Sequence, residues 1–182
     1  MVDNVFLDKG IILGYCFYTD THHVECRTYV ESVGADLYAT KQVEDIYGNA
    51  KEGIISDHQE AILDFVQWIT EEYSGKVDRD KIEKMQDSID QEDNPAWRYL
   101  LDYLEGKSDE KVHSITKGLR NITRDMERIA EERNKELNKK ILRWMRIASY
   151  PNLKKRLSTL YHKDQEDYWI AVDAHDLGNE LG

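Results

Sequence analysis

Val5-Phe6-Leu7-Asp8-Lys9-Gly10-Ile11-Ile12-Leu13 is the stretch on which the fold turns. Three apolar residues end in a carboxylate and a second apolar run follows Gly10, which reads as a buried strand leading into a turn or helix. Asp8 then stands at the strand's C-terminal end. Residues 21–34 have helical spacing, with Val24, Cys26, Tyr29, Val30 and Val33 as the expected inner face and Gly34 closing the helix. Residues 35–39, containing Leu37 and Tyr38, read as a second short strand. Thr40 is a good N-cap for the next helix, where Val43, Ile46 and Tyr47 carry the buried stripe and Glu44 sits about one turn inside. Strand, helix, strand, helix in that order favours a parallel sheet with right-handed crossovers.

From Asp57 the pattern becomes almost wholly helical, starting with Ala61, Ile62, Phe65, Val66 and Ile69. Asp93-Asn94-Pro95 breaks it ahead of a helix carrying Trp97, Leu100, Leu101 and Leu104. The longest periodic segment spans residues 109–149. Its apolar positions Val112, Ile115, Leu119, Ile122, Met126 and Ile129 shift phase to Leu137, Ile141, Trp144 and Ala148. Because the heptad phase is not maintained, packing within the chain is favoured over a coiled-coil homodimer seam. Pro151 ends the segment, and a short basic helix and a final helix over residues 165–177 complete the chain.

At 182 residues the chain suits one domain, or a small domain carrying a large insertion. Charged residues make up 34% and hydrophobic residues 40%, so much of the chain is expected to be solvated helix surface. The net charge of -11 argues against a protein that coats nucleic acid through a strongly basic surface. It leaves a metal-dependent nuclease open, because a bound cation reverses the field of clustered carboxylates. Cys16 and Cys26 lack metal-ligand spacing and are expected to be buried thiols in a reducing, cytoplasmic setting. Asp8 and Lys9 interrupt the apolar N-terminal stretch, so neither a signal peptide nor a membrane span is expected there. His22, His23, His58, His113, His162 and His175 share no zinc-ligand spacing.

Asp8 follows strand residues, Glu44 enters a helix beside Val43, and Asp167 opens the apolar run Tyr168-Trp169-Ile170-Ala171-Val172. Carboxylates at the edge of a core need partners, and the strand C-termini of an open parallel sheet are where ligands bind. Singly, each acid reads better as a cap or a solvated side chain; it is their order that points to chemistry.

In that order the chain resembles the PIN-domain nucleases. The family's opening strand ending in Asp is matched by Val5-Phe6-Leu7-Asp8. Its second element is matched by Leu37-Tyr38-Ala39-Thr40 leading into Val43-Glu44, and its late-helix motif by Asp167-Tyr168-Trp169-Ile170-Ala171-Val172-Asp173-Ala174. Similarity covers roughly the first fifty residues and the last twenty. The chain departs from the family in having Lys9-Gly10 where Thr-Asn is common, and in stopping at Gly182 before a further strand and acid.

What the resemblance implies is a PIN-like three-layer α/β fold forming one domain over residues 1–182, with a small parallel sheet and a helical insertion at about 75–150. It also implies Mg²⁺ or Mn²⁺ on Asp8, Glu44 and Asp167, with Asp164 and Glu166 as rivals for the third position, and hydrolysis of single-stranded RNA in a toxin-like or RNA-processing role. Asp173 and Asp176 are expected to be solvated. Lys9 has three readings: a phosphate ligand, a substitute for the cation through pairing with Asp8, or a side chain pointing to solvent. An inhibitory protein partner fits a toxin-like role. The alternative is a catalytically silent PIN-like module acting through helix-mediated self-association or partner binding.

Between Leu137 and Lys163 there is no Asp or Glu, while Lys139, Lys140, Arg143, Arg146, Lys154, Lys155, Arg156 and Lys163 supply positive charge. Trp144, Tyr150 and Tyr161 lie in the same block and offer rings that stack on unpaired bases. RNA held there would run directly into the Asp167 motif. The competing reading is that these bases pair with acids of neighbouring helices and the rings are core.

Overall fold

The computed structural model describes residues 4–181, apart from the side chains at 42–44 and 46. It is a mixed α/β structure, mostly helical, around a three-stranded parallel sheet in the order β1-β2-β3. The strands are β1 (Asn4–Phe6), β2 (Asp36–Thr40) and β3 (Ile141–Trp144). Phe6 pairs with Tyr38, and Tyr38 with Leu142. The apolar runs form β1 and β2 because Leu7, Leu37 and Ala39 are buried on one face of the sheet.

Helix α1 (Lys9–Cys16) follows β1 directly, and α2 (His23–Ser32) leads back to β2. Gly14 lets α1 and α2 approach closely, since a Cβ there would lie 2.6 Å from Cys26 Sγ. The inner stripe of α2 is His23, Cys26 and Val30, whereas Val24 and Tyr29 are exposed. His23 can be buried because its Nδ1 lies 2.7 Å from the Gly14 carbonyl oxygen, which satisfies the imidazole.

Helix α3 (Lys41–Glu72) runs unbroken through the two helical stretches expected from sequence. After α4 (Arg79–Asp87) and α5 (Trp97–Leu104), α6 (Val112–Asn138) returns alongside it. The contacts fix an antiparallel pair: Tyr47 Oη donates to the Ala130 carbonyl, Lys51 pairs with Glu127 and Glu131, and Gln59 donates to the Thr123 carbonyl. Both helices pass from one core into another. The first core joins Leu7, Leu37 and Ala39 to Ile12, Tyr47, Ile55, Ala130 and Leu137. The second gathers Ile62, Val66, Ile69, Leu100, Ile115 and Leu119 away from the sheet. The long stripe of α6 is thus buried within the chain.

The helical run ends at Asn138, and Ile141–Trp144 is the third strand, not a continuation of α6. Lys139 and Lys140 close the helix with a backbone bond from Lys140 N to the Leu137 carbonyl. Beyond β3 come α7 (Pro151–Arg156), α8 (Ser158–Lys163) and α9 (Gln165–Leu181). Helix α9 lies against β1 and the chain leaving β3. Among the described residues no helix is long and apolar enough to cross a membrane.

Candidate functional site

Asp8 and Thr40 have extended backbones at the ends of β1 and β2. Leu7 N donates to the Tyr38 carbonyl, and continuing that register sets Asp8 beside Thr40 at the C-terminal edge of the sheet. Asp8 is exposed and occupies the N-cap position of α1 without bonding the helix through its side chain. The hydroxyl of Thr40 is buried and has no hydrogen-bond partner among the described residues, although its residue is the N-cap of α3. Glu44 falls in the first turn of α3, and its side chain lies outside those described.

Lys9 joins this edge to α9. Its Nζ lies 3.2 Å from Glu166, 3.6 Å from Asp167 and 4.0 Å from Asp164. Burial pulls the ammonium's pKa down, but the Glu166 hydrogen bond and the three negative charges outweigh it and leave the pKa raised. Lys9 therefore pairs with the late-helix acids and does not point to bulk solvent, and among the described residues its ion pairs are with those acids and not with Asp8.

Asp164 has a structural task as well. Its Oδ1 accepts from the backbone N–H groups of Glu166 and Asp167, capping α9. The Asp167 N–H bond, opposed by burial and aided by the Lys9 charge, holds its carboxyl below the usual carboxylate range. Asp167 itself is half open to solvent. Among the described residues no group of three or more His, Cys, Asp or Glu side chains is arranged to hold an ion.

Asp173 and Asp176 are buried, contrary to their expected solvation. Asp173 takes the Arg146 Nε at 2.5 Å. Asp176 accepts from Trp144 Nε1, Ile147 N and Ala148 N, so it fixes the chain leaving β3. Burial raises its carboxyl, and these bonds together outweigh that and leave it below the usual range. Trp169, on the same face of α9, is half-buried with the Arg146 guanidinium 4.6 Å and the Lys154 ammonium 5.0 Å from its ring centre. The spacing 169, 173, 176 is one helical face, and that is the sequence signal that marks these residues as a group.

The basic block consequently divides. Arg146 and Lys154 are engaged with α9, and Arg143 borders a small cleft with Ile12, Tyr47, Asn134 and Asn138. Lys139, Lys140, Lys155 and Arg156 are exposed. Trp144 is committed to Asp176 and to the Tyr38 ring, and Tyr150 packs edge-on to His175. Tyr161 remains partly open beside Tyr168.

No family model, no curated protein and no solved structure matches this chain.

Proposed function

We propose that the chain is a PIN-like endoribonuclease that uses a divalent cation to hydrolyse phosphodiester bonds of single-stranded RNA. The observation that carries the reading is the sheet edge: Asp8 beside the unpartnered Thr40 hydroxyl, with Lys9 tying the acidic first turn of α9 to it. The donor set is all hard oxygen, which suits Mg²⁺ or Mn²⁺. Asp8, Glu44 and Asp167 would hold the cation, and Asp164 contributes by capping α9. When bound, such a cation activates water and offsets charge on the phosphate. Lys139, Lys140, Lys155 and Arg156 hold the RNA backbone, and Tyr161 offers a stacking surface. Lys9 now neutralises α9's acids, so loading the site requires it to swing away.

Mn²⁺ titration by calorimetry and cleavage of a fluorescent single-stranded RNA test this directly. The wild-type chain should bind Mn²⁺ and cleave, and Asp8→Asn should lower cleavage on the order of 10²-fold. Absence of metal-dependent heat and of cleavage in the wild type would sink the reading.

The three ion pairs of Lys9 favour a second reading, a catalytically silent PIN-like module that works by binding a protein partner or a second copy. Lys9→Met separates the two. A restrained nuclease gains Mn²⁺ affinity when the ammonium is removed, whereas a silent module binds no Mn²⁺ in either form.

A further inference from the structure

The sheet ends on β3, which has no strand on its far side among the described residues. Leu142 is 47% exposed, Met145 77% and Ile147 67%, so three large exposed apolar side chains fall within six positions. An open strand edge is a template for strand addition, and contiguous exposed apolar surface marks an interaction site.

We propose that β3 and the loop behind it form a docking strip for an acidic partner segment, which adds as an extended strand along the open edge of the sheet. Charge decides the partner's sign. Lys139 and Lys140, both exposed, precede the strand, and the carboxylates that reach this stretch, Asp173 and Asp176, are buried and taken up by Arg146, Trp144 and the loop backbone. Lys154 shares the Trp169 ring with Arg146, which brings the bases of α7 close to the same loop. An alternating acidic and apolar segment would set its apolar residues beside Met145 and Ile147, which share one side of an extended chain, and its carboxylates toward the exposed Lys139 and Lys140.

The strip is also preformed. Asp176 holds Ile147 N and Ala148 N, and Asp173 holds Arg146, so little chain remains to be ordered on binding. Aliphatic side chains offer bases no stacking platform, which disfavours RNA on this strip. A second copy paired antiparallel about the middle of β3 would set Met145 and Ile147 against the Lys139-Lys140 end of the other copy and not against apolar residues, which disfavours a homodimer through this edge. The proposal does not depend on the ribonuclease reading, and an acidic segment bound here would compete with RNA for Lys139 and Lys140.

Three synthetic peptides of about ten residues test it: Glu alternating with Val and Ile, Lys alternating with Val and Ile, and Glu alternating with Ser. The first should bind by fluorescence anisotropy and slow amide hydrogen exchange at those residues of 141–146 whose N–H groups face the open edge. The other two should bind at least about tenfold more weakly. The exposed double variant Met145→Glu with Ile147→Glu, checked for native circular dichroism, should weaken the first peptide by about tenfold or more. The proposal is overturned if the acidic peptide leaves those amides unprotected, or if the Lys peptide binds equally well. It is also overturned if light scattering of the chain alone gives a dimer that the double variant dissociates, or if single-stranded RNA protects the strip and the peptide does not.

Discussion

His58 shows how far a single residue can couple this fold to pH. It is buried on α3 with Nε2 2.8 Å from Thr19 Oγ1, and burial pushes its pKa down to about 4, against a small opposing effect of Asp57. Between about 4 and the ordinary value of 6.5 the unfolded chain binds a proton that the folded chain refuses, so stability falls as pH drops through that window. The loss is on the order of 3 kcal/mol. His23 is displaced in the same direction by burial, so the informative quantity is the difference between wild type and His58→Gln. Urea midpoints near neutral and mildly acidic pH should diverge less in the variant; equal pH dependence in both would refute the assignment. The sequence named His58 only as a histidine without ligand spacing. Nothing local to it predicts Thr19, which lies 39 residues away. Asp173 and Asp176 were hidden for a related reason: an acid late in a helix reads as solvated unless the donors of Trp144, Arg146 and the following backbone are known to reach it.

Packing between elements is close where α1 meets α2. An alanine methyl at position 14 would lie 3.2 Å from Cys26 Cβ as well as 2.6 Å from its sulfur, so Gly14→Ala should force the helices apart and cost roughly 1–3 kcal/mol. Thermal unfolding should show partial recovery when Cys26→Ala is added, and an unchanged melting temperature for Gly14→Ala alone would contradict the close approach. Elements whose burial is written locally were legible: β1, α1, β2 and the stripes of α5 and α6 follow their apolar spacing. Strand β3 was not. Leu137, Ile141, Trp144 and Ala148 keep a helical phase, and the strand's identity comes from pairing with β2 about a hundred residues earlier. Helix α2 was placed correctly but rotated, because a hydrogen-bonded histidine replaces Val24 and Tyr29 on its inner face.

Across the whole molecule, net charge of -11 opposes RNA while the block from Leu137 to Lys163 attracts it, so any binding should be strongly dependent on salt. If Lys139, Lys140, Lys155 and Arg156 each meet a phosphate, log affinity for single-stranded RNA should fall with log salt at a slope of about -3. Lys139→Glu with Lys140→Glu should flatten that slope by about 1 to 2, read by anisotropy across a salt series. An unaltered slope would place the RNA elsewhere. The parallel pairing of β1 with β2 and the place of Asp8 at its C-terminal edge were foreshadowed by the apolar runs that end near Asp8 and Thr40, but the partnering of Lys9 with α9 depends on bringing the two ends of the chain together. The antiparallel pairing of α3 and α6 has a consequence for how such a chain can change length. Because the residue numbers of matched partners rise on one helix as they fall on the other, deletions or insertions taken in equal steps on both, about seven residues at a time, keep every remaining neighbour in place. The helical lobe can therefore be shortened or extended like a zip fastener while the sheet edge keeps its geometry.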